Sequence, residues 1–156
     1  MSARRKPRPG EILQAQIHPA PYLIQWERVL RWRERTQVSM QTGDEPFDFL
    51  AVLFASILQM RDWLIASRPD LRADIRGLFR DSANLGLARD VANGSKHMIL
   101  TSWSAERAAC IAREYAGAGR VHHVIPRAGG RNLDALPLAD ACLEEIGTFM
   151  ASNALL

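Results

Sequence analysis

The stretch LARDVANGSKHMILTSW, Leu87 to Trp103, sets six charged or hydrogen-bonding side chains between two apolar borders: Arg89, Asp90, Asn93, Ser95, Lys96 and His97. These types can handle a proton and a phosphate. His97 titrates near neutral pH, and Arg89, Lys96 or the more distant Arg61 can neutralise a phosphate. That set is sufficient for metal-independent cleavage of RNA through its own 2'-hydroxyl. On a helix, Asp90 and His97 are two turns apart and nearly eclipsed, with Asn93 between them on the same side. Leu85, Ala88, Val91, Ala92 and Ser95 occupy the opposite side, so the helix can be buried by that side while its polar face meets water.

A second segment brings charge to the same place. FLAVLFASILQMRDWL is apolar nearly all round, the pattern of a helix in the middle of a bundle, yet it carries Arg61 and Asp62 within its length. A charge on a core line needs a partner. If the two helices are antiparallel neighbours, Asp90 partners Arg61, and Arg89 or Lys96 partners Asp62. Arg61, Asp62, Asp90, Asn93, Lys96 and His97 would then form one interhelical polar cluster. The same cluster also suits a purely structural role, as a buried ion-pair network that fixes helix register.

Other chemistries fit less well. Asp90 and His97, even with His122 or His123, are too few for a metal site, and His122 and His123 point to opposite faces of a strand. NGSK lacks the first glycine and preceding strand of a phosphate loop. Cys110 and Cys142 have no argued base and read as buried thiols in a reducing compartment. Trp26, Trp32, Trp63 and Trp103 could stack bases, but tryptophans at helical spacing more often belong to a core. No cofactor or metal is expected.

The elements that must position these residues follow from periodicity and punctuation. Apolar Leu23, Trp26 and Leu30 predict a helix over about Pro21 to Val38, with Arg28, Arg31 and Arg35 as a basic stripe offset by Glu27 and Glu34. The next helix starts after Thr42 or Asp44 as N-cap and stops before Pro69, with Phe47, Leu50, Phe54, Ile57 or Leu58, Arg61, and Leu64 or Ile65 on its core line. A short helix follows from Asp70 to Phe79, with Leu71, Ile75 and Leu78 inward. The helix of the polar segment opens at Asp81 or Ser82 and runs through Gly94 to about His97 or Leu100. A hairpin pairs Ala108 to Tyr115 with Arg120 to Ile125. After the loop PRAGGRNLDAL, Pro137 opens a last helix with Leu138, Cys142, Ile146 and Phe149 as its buried line. The fold class expected is mainly α, a bundle of about four main helices with a small β-hairpin before the C-terminal helix.

Composition bounds the rest. The chain has 156 residues, 47% hydrophobic and 24% charged, an ordinary globular balance for one domain. Its formal charge of +3 rests on RRKPRPG, because Arg4, Arg5, Lys6 and Arg8 precede the first acid, leaving 16 basic against 17 acidic side chains from Glu11 onward. Residues 1–15 read as a basic, disordered tail, and 16–156 as a single helical domain. No charged start precedes an apolar run, and the uncharged stretch from Phe49 to Met60 falls short of the ~20 residues of a membrane span. A cytoplasmic protein with no membrane partner is expected.

FLAVLFASILQMRDWL followed by LARDVANGSKHMIL resembles a group of small uncharacterised bacterial proteins that pair an RDW-type helix with an ANGxKH-type helix. The likeness covers roughly residues 45–100, with a weaker echo in LDALPLADACLEEI. More distantly, the chain is similar to the HEPN superfamily. That resemblance implies a helical bundle, often dimeric, and a metal-independent endoribonuclease of toxin-antitoxin and antiphage systems. The HEPN motif of Arg, polar residue and His falls on Arg89, Asp90 and His97, with a longer spacing here. The resemblance implies RNA as substrate, a homodimer whose protomers share the site, and an antitoxin or regulatory protein as partner. The other expectation, drawn from the residues, is a non-catalytic helical interaction module, a homodimer whose polar cluster is structural.

Overall fold

The computed structural model describes residues 20–96, 110–116, 120–127 and 131–156. The N-terminal tail, His97 and Trp103 lie outside the described residues. Five α-helices and a small antiparallel sheet make up the rest: α1 (Pro21–Thr42), α2 (Pro46–Ser67), a 3-10 turn (Pro69–Leu71), α3 (Arg72–Asp81), α4 (Ala83–Lys96), β1 (Ala112–Ala116), β2 (Arg120–Ile125), β3 (Leu133–Asp134) and α5 (Ala135–Ser152). The architecture is the helical bundle with a small hairpin before the last helix.

α2 is the centre, in contact with α1, α3, α4 and α5. Its Leu50, Leu53, Phe54, Ile57, Met60 and Leu64 are fully buried. Among the described residues it is the one helix long and apolar enough, by length and composition alone, to cross a membrane. Neighbours contact it on several sides, and 39% of its most apolar stretch is buried. α1 lies along it with a polar tie inside the seam: the Gln25 side chain, with no exposed surface, donates to the Ser56 carbonyl at 3.0 Å. A buried amide must be hydrogen-bonded, and this bond fixes how α1 and α2 sit lengthwise.

Helix ends follow local chemistry, with some shifts from expectation. α1 runs one turn past Val38 because Gly43 can adopt the left-handed conformation (φ 77°) and donates its N–H to Ser39 at 2.8 Å. α2 then starts at Pro46, whose fixed φ suits a first helical position, after Glu45 rather than Thr42 or Asp44. Ser82 caps α4, its hydroxyl accepting from the Leu85 N–H at 3.0 Å. Gly94 does not break α4, which continues to Lys96.

The hairpin starts later than expected, at Ala112 rather than Ala108, pairing Ala112 with Val124 and Ala116 with Arg120. Residues 108 and 109 lie outside the described residues. The expected loop carries a third strand, since Asp134 and Leu133 pair with Val124 and Ile125 just before α5 begins. α5 starts at Ala135, so Pro137 is its third residue; Leu138, Cys142, Ile146 and Met150 are buried along it, and Phe149 is half-buried.

Candidate functional site

α4 carries the expected polar residues, and its cap explains their placement. Starting at Ser82, the helix turns Leu85, Ala88, Val91 and Ala92 into the core. It also buries Leu87 and Asp90, so the polar side is not simply a solvated face. Asp90 is only 3% exposed, and its carboxylate takes the Arg89 Nε at 3.3 Å. Arg89 itself is half-buried, as are Asn93 and Gly94. Among the described residues Arg89 is held through Nε alone, which would leave its other N–H groups for an incoming oxyanion. Lys96 ends the helix, and nothing is described of its side chain; His97, next along the chain, lies outside the described residues.

Arg61 and Asp62 do not complete the interhelical cluster. α2 and α4 are in contact, yet Arg61 Nε meets Asp62 Oδ1 at 3.1 Å, along its own helix, and neither reaches Asp90 or Arg89. Helix geometry is the reason. Asp62 lies roughly 200° around α2 from the buried Met60, and Arg61 roughly 100°, which puts one opposite the core line and the other at its edge. The Asp62 side chain is accordingly 69% exposed. The structure thus brings together Arg89 and Asp90, with Asn93 one turn on, and leaves Arg61 and Asp62 as a separate surface pair.

The basic stripe of α1 is engaged within the chain. Arg28 donates to Gln25 at 3.0 Å and lies 5.9 Å from the Trp63 ring, Arg35 stacks 5.1 Å over Trp32, and Arg31 stands 3.9 Å from Glu27. These contacts cover tryptophan faces with guanidinium planes. Between them, Arg33 reaches across to α5 and clamps Asp140 with two bonds of 2.8 and 2.9 Å. The carboxylate raises the Arg33 pKa above its ordinary value through those bonds, against the opposing effect of burial.

The two histidines of β2 divide as strand alternation requires: His122 is exposed and His123 buried. Among the described residues neither ring nitrogen of His123 has a hydrogen-bond partner, and both are closed off from solvent. Burial, with smaller contributions from Arg113 and His122, lowers its pKa below the usual histidine value. Cys142 is buried in α5 as expected, and burial, reinforced by Glu145, pushes its thiol up to about 12; Cys110, expected to be buried, is exposed, since it precedes the edge strand β1 rather than entering the core. Among the described residues no group of three or more His, Cys, Asp or Glu side chains could hold a metal ion.

Comparison with protein-family models, with curated proteins and with solved structures returns no match.

Proposed function

We propose that this chain is an HEPN-like RNA-cleaving or RNA-binding protein of a bacterial stress or defence system, cytoplasmic and acting as a homodimer. The observation that supports it is the Arg89–Asp90 pair on α4, a guanidinium positioned by a carboxylate that is itself buried. A positioned arginine stabilises the charge that grows on a phosphate during transfer. Arg89 would hold the phosphate, His97 would act as general acid or base, Lys96 would assist, and Asp90 and Asn93 would orient. Arg61 and Asp62, paired with each other on α2, have no part in this reading.

A second reading has its own support. Asp90 is almost inaccessible, which favours a structural carboxylate in a non-catalytic homodimeric module. The experiment that separates the two incubates the purified chain with total RNA, with and without EDTA, beside His97→Ala. The first reading expects cleavage that survives EDTA and falls at least ~100-fold in the variant. No cleavage by the wild type, or equal cleavage by the variant, removes the enzyme. Thermal melts of the variant test the structural role: a large loss of stability supports it, and an unchanged melt opposes it.

A further inference from the structure

Charge is unevenly spread over the body of the chain. From Cys110 to Asp134 four arginines, Arg113, Arg120, Arg127 and Arg131, stand against two acids, Glu114 and Asp134. Residues 11–109 carry twelve side chains of each sign, and residues 135–156 carry three acids and no base. The excess positive charge therefore belongs to the segment that forms the sheet. Pleating then sorts what β1 carries. Arg113 and Tyr115 project from one face, with Val121 paired opposite Tyr115, and Glu114 projects from the other, where its carboxylate takes the Asn132 amide at 3.3 Å. Tyr115 is 76% exposed and Val121 42%, so this cross-strand pair is an apolar shelf left open beside the sheet's edge. Arg113 is exposed as well, and among the described residues no carboxylate pairs with it.

We propose that the face of the β1–β2 hairpin formed by Arg113, Tyr115 and Val121 binds single-stranded RNA, with a base stacked on the Tyr115 ring and a backbone phosphate on Arg113. This surface presupposes the RNA-binding reading above and gives that reading a second element besides the Arg89–Asp90 pair of α4.

An exposed tyrosine ring offers its face to any unstacked base, without a need for hydrogen-bonding groups that choose among bases. Arg113 stands two residues away on the same face, about 7 Å along the strand, within a long side chain's reach of the phosphate that flanks a stacked base. A protein partner is the poorer fit: a specific interface covers about 800 Å² on each side, and these two apolar side chains offer on the order of 200 Å². Val121 also lines a cleft of about 320 Å³, together with Gln37 and Met40 of α1 and Leu136 of α5, and no lysine or arginine lines that cleft. The phosphates of a bound strand therefore run on the β1 side, where Arg113 is.

The test measures, by fluorescence anisotropy, binding of the full chain to labelled oligoadenylate and oligouridylate made of 2'-O-methyl RNA, which cannot be cut through its own 2'-hydroxyl. An RNA duplex of the same length and heparin serve as polyanions without unstacked bases. The single strands are expected to bind more tightly than either. Tyr115→Ala should weaken them about tenfold, and Tyr115→Phe should keep the affinity, because the ring alone stacks. Both variants should melt as the wild type does, since the side chain lies outside the core. Arg113→Gln should lower the slope of log K against log salt by about 0.7, the share of one phosphate contact on a single strand. Affinity unchanged in Tyr115→Ala, or duplex or heparin bound as tightly as the single strands, overturns the proposal. So does a Tyr115→Ala chain that sediments at half the wild-type mass, which would make the shelf a contact between two copies. Failure to bind any RNA removes the RNA reading as well, whereas RNA binding that ignores Tyr115 and Arg113 removes this surface alone.

Discussion

His123 shows how one side chain can tie stability to pH. Its ring nitrogens are closed off from water and have no partner among the described residues, and burial is the main cause that lowers its pKa from the ordinary 6.5. The direction of the linkage follows. As pH falls through 6.5 the unfolded chain takes up a proton that the folded chain resists, so this contribution is fully present above 6.5 and is lost as the pH drops toward the folded value. Thermal melts should therefore show lower stability at about pH 5 than at about pH 7.5, and His123→Phe should flatten that difference. At neutral pH the same substitution should stabilise by about 1 kcal/mol, because an apolar ring of similar size removes two stranded polar atoms. A variant with the wild-type pH slope would show that another group carries it. Alternation along RVHHVI already separates His122 from His123; which of them turns inward depends on β2 pairing with β1 and β3.

At the scale of elements, two glycines answer the same substitution with opposite signs. Gly43 ends α1 at φ 77°, with open space where a Cβ would stand. Gly43→Ala therefore meets no clash, only an unfavourable backbone, and should cost about 1 kcal/mol. Gly147 lies inside α5, where a Cβ would touch the Trp26 ring at 3.6 Å, an ordinary contact. Gly147→Ala should stabilise by about 0.5–1 kcal/mol through helix propensity and a less flexible unfolded chain. Denaturant melts of the two variants decide it, and a destabilised Gly147→Ala would mean that α5 and α1 pack more tightly than this. Helices are the legible elements, because apolar spacing and a cap such as Ser82 act locally; the stop that Gly43 gives α1 lies beyond the apolar spacing and is not read from it. The two-residue β3 is not legible, since it exists only by pairing with β2. For the candidate site, RDVAN could be placed on a helix from sequence, but its partners could not. The apolar length of α2 makes Arg61 look bound for Asp90, whereas the rotation of α2 aims its charges elsewhere.

At the scale of the whole molecule, the Arg33–Asp140 clamp joins the first helix to the last across 107 residues of sequence, a link no local pattern announces. Its side chains are 31% and 42% exposed, so solvent screens it, yet its paired bonds are geometrically demanding. A double-mutant cycle with Arg33→Gln and Asp140→Asn should give a coupling of about 0.5–1 kcal/mol, at the upper end for a partly exposed pair. The clamp also holds Arg33 against the Gln37 carbonyl, so its effect extends beyond α1 and α5 to the cleft beside β2. Asp140→Asn alone should lower stability by about 0.5–1 kcal/mol, while leaving the Arg89–Asp90 pair on α4 and any RNA cleavage unaltered. A coupling energy indistinguishable from zero would reduce the clamp to a surface contact and leave Gln37 positioned by its own helix alone.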